Sequence, residues 1–165
     1  MSTSGGWRVR RIAGIFVSAL LTAYIALQLY HIQFATPHLV DRDSYYHTRA
    51  ANLLPERGLS REFPWMQYSV WKDRFADKEL LYHAILAPFC SSEPTMVRGG
   101  KWAAWLFSIA LFALFTLALR TTGARAPILW TFLLFCAGNH FLFRIMEVRA
   151  HVLSIILFIA GTALL

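Results

Sequence analysis

The sequence predicts an all-α, polytopic integral membrane protein, with about four transmembrane helices and a large helical first extracytoplasmic loop. Three observations lead there. Of the 165 residues, 57% are hydrophobic and only 15% are charged, the composition of chains that place apolar surface in lipid. The apolar residues gather into long runs that carry no charge, which globular cores do not need. Polar character is concentrated: eight of the nine acidic residues lie in the segment 32–100, and the ninth is Glu147. The formal net charge is +7, but its cations form no long run, so nucleic acid is not an expected partner. Cys90 falls in the polar segment and Cys136 in an apolar run, which argues against their pairing.

Taken in order, residues 1–7 are small and polar and are expected to be disordered. Arg8, Arg10 and Arg11 then precede the uncharged run Ile12 to Tyr30, the first span at about 12–31. As a helix that run reaches about 28 Å, close to the roughly 30 Å hydrocarbon thickness. It exceeds the apolar core of about 7–15 residues in a signal peptide, and no clean cleavage pattern follows, so a retained span is expected. The second span covers about 101–119. The third covers 127–143 and opens on Pro127, whose missing N–H costs nothing in a first turn; Asn139 and His140 lie near its end. The fourth begins at 152 and is still apolar at Leu165, where it has covered only about 21 Å of the roughly 30 Å required. The sequence thus reads as the N-terminal part of one membrane domain in a longer protein, truncated in the fourth helix.

Charge sets the expected topology. The N-terminal arginines, and Arg120 with Arg125, flank short segments that carry no acid, which the positive-inside rule assigns to the cytoplasm. The segment 32–100 and the connection Arg144 to His151 then share the opposite face, together with every acidic residue.

The polar segment has its own pattern. Asp43, His47, Ala50 and Leu54 fall at helical spacing, and Pro55 and Gly58 mark the end of that helix. Phe63 to Trp71 reads as an extended aromatic stretch, with Trp65, Trp71 and Trp102 at headgroup level. A second helix is expected from near Asp77 to near Pro88, with Leu80, Leu81, Ala84 and Ile85 on an apolar side against the membrane surface. Asp77, Lys78 and Glu79 read as its solvated start.

Asp43-Ser44-Tyr45-Tyr46-His47-Thr48-Arg49 resembles the Asp-Pro-Trp-Tyr-His-x-Arg stretch in the first external loop of oligosaccharyltransferase catalytic subunits. The likeness continues through Gly58, an aromatic-proline segment and Leu81-Tyr82-His83, and covers roughly Arg8 to His151. The wider group is the membrane-embedded C-type glycosyltransferases, whose first external loop often carries Asp-x-Asp, matched here by Asp41-Arg42-Asp43. The resemblance implies a bacterial inner (plasma) membrane location with the N-terminus in the cytoplasm, membrane lipid as surroundings, and a polyprenyl-phosphate-linked sugar as donor. It also implies a divalent cation, Mg or Mn, for which Asp43 and Glu147 are the available ligands. In those subunits the second external loop holds an Asp-x-Asp or Asp-x-Glu pair. Here it offers Glu147 alone among Arg144, Arg149 and His151, which shifts it toward phosphate binding.

The chemistry of such a transfer selects the same residues. A base must take the acceptor proton, and cations must stabilise the departing phosphate. Asp43 suits the first role, as base or metal ligand, with Asp41 as partner. Arg144, Arg149 and His151 suit the second, arginine through its planar fork of donors. Two other readings stand beside this one. His47 after Asp43 and His83 after Glu79 have metal-ligand spacing, as in a membrane-embedded metal-dependent hydrolase, which requires those four side chains to converge. A non-catalytic transporter or assembly subunit would instead turn Asp41 and Asp43 to solvent, away from Arg144 and Arg149. Either aspartate also serves as a helix cap.

Overall fold

The structure, a computed structural model, describes residues 4–59, 61–63 and 66–164, with backbone alone at 4–11 and 164. The expectations placed on residues 1–3, Trp65 and Leu165 lie outside the described residues. The described residues form seven α-helices and three short 3₁₀ turns, with no strand. They are α1 (Ser4–Phe34), α2 (Arg42–Arg57), α3 (Leu80–Leu86), α4 (Met96–Thr121), α5 (Pro127–Phe135), α6 (Asn139–Met146) and α7 (Ala150–Leu164). Helix α1 already begins at Ser4, so the disorder expected up to Trp7 gives way to helix.

Among the described residues, two helical stretches are long and apolar enough to cross a membrane: Ile12–Phe34, and Glu93–Thr121, whose first residues form a 3₁₀ turn. Only 11% of the first stretch is buried in protein. Ile12, Phe16 and Leu20 stand exposed, and such a surface needs a non-aqueous covering. The third expected span is not one straight helix. Helices α5 and α6 meet at 87° across a short break, so they count as a third span only if the bent pair crosses as a unit. Gly138 sits in that break at φ +142, a backbone state open to glycine and closed to residues with a Cβ. Helix α7, the expected fourth span, is a shorter apolar helix of 15 residues.

Helix α4 is the hub, packed against α1, α2, α5, α6 and α7. One core joins Ile25 and Leu29 of α1 to Leu111 and Phe112 of α4, Ile145 and Met146 of α6, and Val152 and Ile156 of α7. A second core lies beside it and ties the polar segment to α4. It contains Leu39, Ala51, Tyr82, Leu86, Cys90, Ala103, Ala104 and Val148. Burial pushes the Cys90 thiol up to about 12, so the group behaves as a small hydrophobe there.

Polar contacts fix the two layers. Trp105 Nε1 donates to Ala26 O at 2.9 Å, which locks α1 to α4. Lys101 is buried and donates to Gln33 O at 2.9 Å and also to Thr36 O; its ammonium thereby satisfies carbonyls at the C-terminus of α1. Gly99 allows α4 to pass against the turn after α3, because a Cβ there would lie 1.7 Å from Phe89 O. At Gly100 a Cβ would meet Thr48 Cγ2 of α2 at 2.5 Å.

Three local expectations meet the structure. Helix α2 continues through Pro55 to Arg57 and closes where Gly58, at φ +61, donates to Leu54 O; a proline in the last turn removes one donor without stopping the helix. Helix α3 buries Tyr82, His83 and Leu86, whereas Leu81, Ala84 and Ile85 are exposed. The apolar side thus faces outward, as expected, and the side with Tyr82 and His83 carries the packing. Around Met66 to Lys72 the chain is a turn rather than an extended strand, folded back so that Phe63 N–H meets Trp71 O and Lys72 O.

Candidate functional site

Asp41 has extended backbone at φ −145 and ψ 167, and its side chain accepts from Asp43 N–H at the head of α2. That cap geometry fixes the carboxylate. Two further contacts reach across 108 residues to the turn between α6 and α7. Arg149 donates to Asp41 Oδ2 through Nε at 3.0 Å and Nη2 at 2.5 Å, and Nη2 also lies 2.7 Å from Asp43 Oδ2. Ser44, fully buried, donates to Asp41 and accepts the Val148 N–H at 2.9 Å. The turn is held from below too, because Ser108 of α4 lies 2.8 Å from Ile145 O.

The second half of the site centres on Glu147, which is buried. Its carboxylate lies 3.2 Å from Arg144 Nη1, 3.8 Å from Arg149 Nε and 3.8 Å from His151 Nε2. The Arg144 and Arg149 guanidiniums compensate the buried carboxylate. His151 Nε2 donates to Arg144 O at 2.7 Å. The structure therefore brings together Asp41, Asp43, Arg144, Glu147, Arg149 and His151. They are not equivalent. The Asp41 side chain is 13% exposed and saturated with donors, whereas Asp43 is 63% exposed and meets Arg149 alone among these cations. Arg149 is committed to carboxylates, whereas Arg144 is 62% exposed and has donors to spare.

A divalent cation does not fit between Asp43 and Glu147 in this arrangement, because the Arg149 guanidinium stands there, 2.7 Å from one and 3.8 Å from the other. Burial acts to raise the Asp41 carboxyl. The hydrogen bonds from Ser44 and Arg149, with the charge of Arg149, outweigh that and hold it below its ordinary 3.8. A carboxylate lowered on folding contributes stability above its unfolded value, lost as the pH falls through the folded value. The chain should therefore lose stability below about pH 3.8 in acid titration followed by near-UV circular dichroism, and Asp41→Asn should flatten that limb.

Asp43, Arg144, Arg149 and His151 line a cavity of about 830 Å³. Lys78 and Glu79, just before α3, line it as well, with Met66, Trp71 and Ile155 among its apolar members. On the same wall His47 meets a second cluster. His83 Nδ1 lies 2.6 Å from Asp77 Oδ2, His83 Nε2 lies 2.9 Å from His47 Nδ1, and His47 Nδ1 lies 3.3 Å from Glu79 Oε2. Burial holds His47 below the ordinary imidazole range, against the pull of Glu79. His47, Glu79 and His83 converge, but Asp43 is not in that group. Asp77 was expected to be solvated; its two oxygens accept from Glu79 N–H and engage the fully buried His83. The spacing of six residues between Asp77 and His83 spans the irregular start of α3, where no helical periodicity announces a contact.

Comparison with family models, with curated proteins and with solved structures gives no match in any of the three.

Proposed function

We propose that this chain is part of a membrane glycosyltransferase that takes a sugar from a lipid-phosphate-linked donor at the face bearing α2 and the α6–α7 turn. The observation that carries the reading is the placement of Asp43. Its exposed carboxylate is oriented by Arg149 and opens on a cavity lined by Arg144, Lys78 and His151. The volume, about 830 Å³, lies in the range of about 300–1,000 Å³ common for small-molecule sites. The apolar members Met66, Trp71 and Ile155 supply a surface suited to the lipid side of such a donor.

In the proposed reaction Asp43 accepts the proton of the acceptor nucleophile as that atom bonds to the anomeric carbon. The bond from that carbon to the phosphate oxygen breaks, and its electron pair leaves with the lipid phosphate. Arg144 and Lys78 stabilise the charge that develops there. Asp41 and Arg149 position the base and do not react. The orientation follows the sequence: the arginines before α1 stay in the cytoplasm.

Transfer of labelled sugar from polyprenyl-phosphate donors, in membranes containing the full protein, tests the reading. Asp43→Asn should lower the rate at least 100-fold, within the roughly 10²–10⁴ that general bases contribute. An unchanged rate removes Asp43 from the reaction and the proposal with it.

A further inference from the structure

The cluster beside the cavity carries an inference of its own. We infer that His47, Glu79 and His83 form a binding site for one divalent transition-metal ion of the zinc type, with Asp77 as the group that orients His83. It is separate from the Asp43 and Glu147 carboxylates, between which Arg149 leaves no room for an ion, and it stands whether or not the transferase reading does.

Four features carry it. First, one ligand atom from each of the three residues lies within 4.8 Å of the other two. With metal–nitrogen bonds of about 2.0–2.1 Å, tetrahedral ligands sit about 3.3 Å apart. The His47 Nδ1 distances to His83 Nε2 and Glu79 Oε2, 2.9 and 3.3 Å, are within a few tenths of that. Second, the His83 tautomer is set. Asp77 Oδ2 accepts from Nδ1 at 2.6 Å, so Nε2 holds a lone pair; it accepts from His47 Nδ1–H at 2.9 Å, and the ion would take the place of that proton. A carboxylate behind an imidazole in this manner is the arrangement that fixes metal-binding histidines. Third, both imidazoles are buried, His83 completely. That removes competing water from two of the ligands, and the ring stacking of Tyr46 edge-on to both histidines limits their rotation. Fourth, Glu79 and His47 reach the cavity wall, so a fourth coordination position is open on the side where a ligand would enter. Two imidazoles and one carboxylate favour zinc-type ions over Mg, which prefers an all-oxygen octahedron.

The test uses the tag-free chain in detergent micelles, stripped with chelator and titrated with Co(II) alone, then with Zn(II) in competition. The expected result is one equivalent bound, with the intense visible absorption of tetrahedral Co(II), displaced by Zn(II) and unaffected by excess Mg(II). Asp77→Asn, which leaves all three ligands in place, should weaken binding about 10–100-fold. Glu79→Gln should weaken it too, and His47→Gln with His83→Gln should abolish it. Because the buried histidine variants risk misfolding, the spectrum of the unaltered chain and the two carboxylate variants decide the matter. Absent binding, a weak octahedral spectrum, or full affinity in both Asp77→Asn and Glu79→Gln would overturn the site. No sugar donor is present in the assay, so its outcome is independent of the effect of Asp43→Asn on transfer.

Discussion

Replacing Arg149 with alanine is expected to destabilise the folded chain by about 2–3 kcal/mol and to abolish the sugar transfer proposed above. Hydrogen bonds to charged groups contribute roughly 1.5–3 kcal/mol each, and Arg149 supplies two to Asp41 and an ion pair to Asp43. The loss stays below the roughly 3–5 kcal/mol of a fully buried pair, because the Arg149 side chain is 28% exposed. What remains is costly all the same: Asp41 keeps only 13% of its side chain in water and loses its counter-charge. Arg149→Lys should recover part of the stability, since the charge returns without the fork that reaches both aspartates. A double-mutant cycle with Asp41→Asn, read by denaturant unfolding in micelles, should give a coupling of about 1 kcal/mol or more. Strict additivity would mean that the head of α2 and the α6–α7 turn do not meet as described.

The second large effect is at Gly99. A Cβ there would lie 1.7 Å from Phe89 O and 2.6 Å from Phe89 C, and both are backbone atoms that no rotamer change can move. Gly99→Ala must therefore push α4 off the turn that follows α3, and α4 is the helix on which both cores rest. Overpacking typically costs about 1–3 kcal/mol; with backbone on the other side, about 3 kcal/mol or more is expected. Gly161→Ala is the natural control. Nothing lies within 4 Å of its added methyl, so helix propensity alone should stabilise α7 by about 0.5–1 kcal/mol. Unfolding of the two variants side by side separates close approach from glycine flexibility.

The readable parts of the fold were those that composition and capping chemistry govern. Long uncharged runs announced α1 and α4, and Asp41, together with Gly58, bracketed α2 to within a few residues. The meeting of Asp41 and Asp43 with Arg149 was legible because charges at the ends of apolar runs have few other partners within reach. The bend between α5 and α6 was not, since Cys136-Ala137-Gly138 interrupts an apolar run without adding charge, and hydropathy does not sense φ. The packing role of Gly99 and Gly100 was missed for a related reason: a glycine pair at a helix start looks like weak helix former until a neighbouring backbone is seen against it. On helix α3 the outward apolar side was legible, and Leu81 and Ile85 do point out. The inward side was not: Tyr82 and His83 pack among Tyr46, His47 and Phe107. Buried polar residues with fixed partners escape the periodicity of hydrophobicity, and here His83 helps build the second cluster.

Binding of polyprenyl phosphate to the purified chain in micelles, followed by phosphorus NMR line broadening, tests the central claim most directly. The expected result is saturable binding that Arg144→Met weakens about tenfold, or about 1.4 kcal/mol, and that Asp43→Asn leaves intact, because in the proposed reaction the aspartate acts on the acceptor and not on the phosphate. Equal affinity for the uncharged polyprenol, or full binding in Arg144→Met, would contradict it.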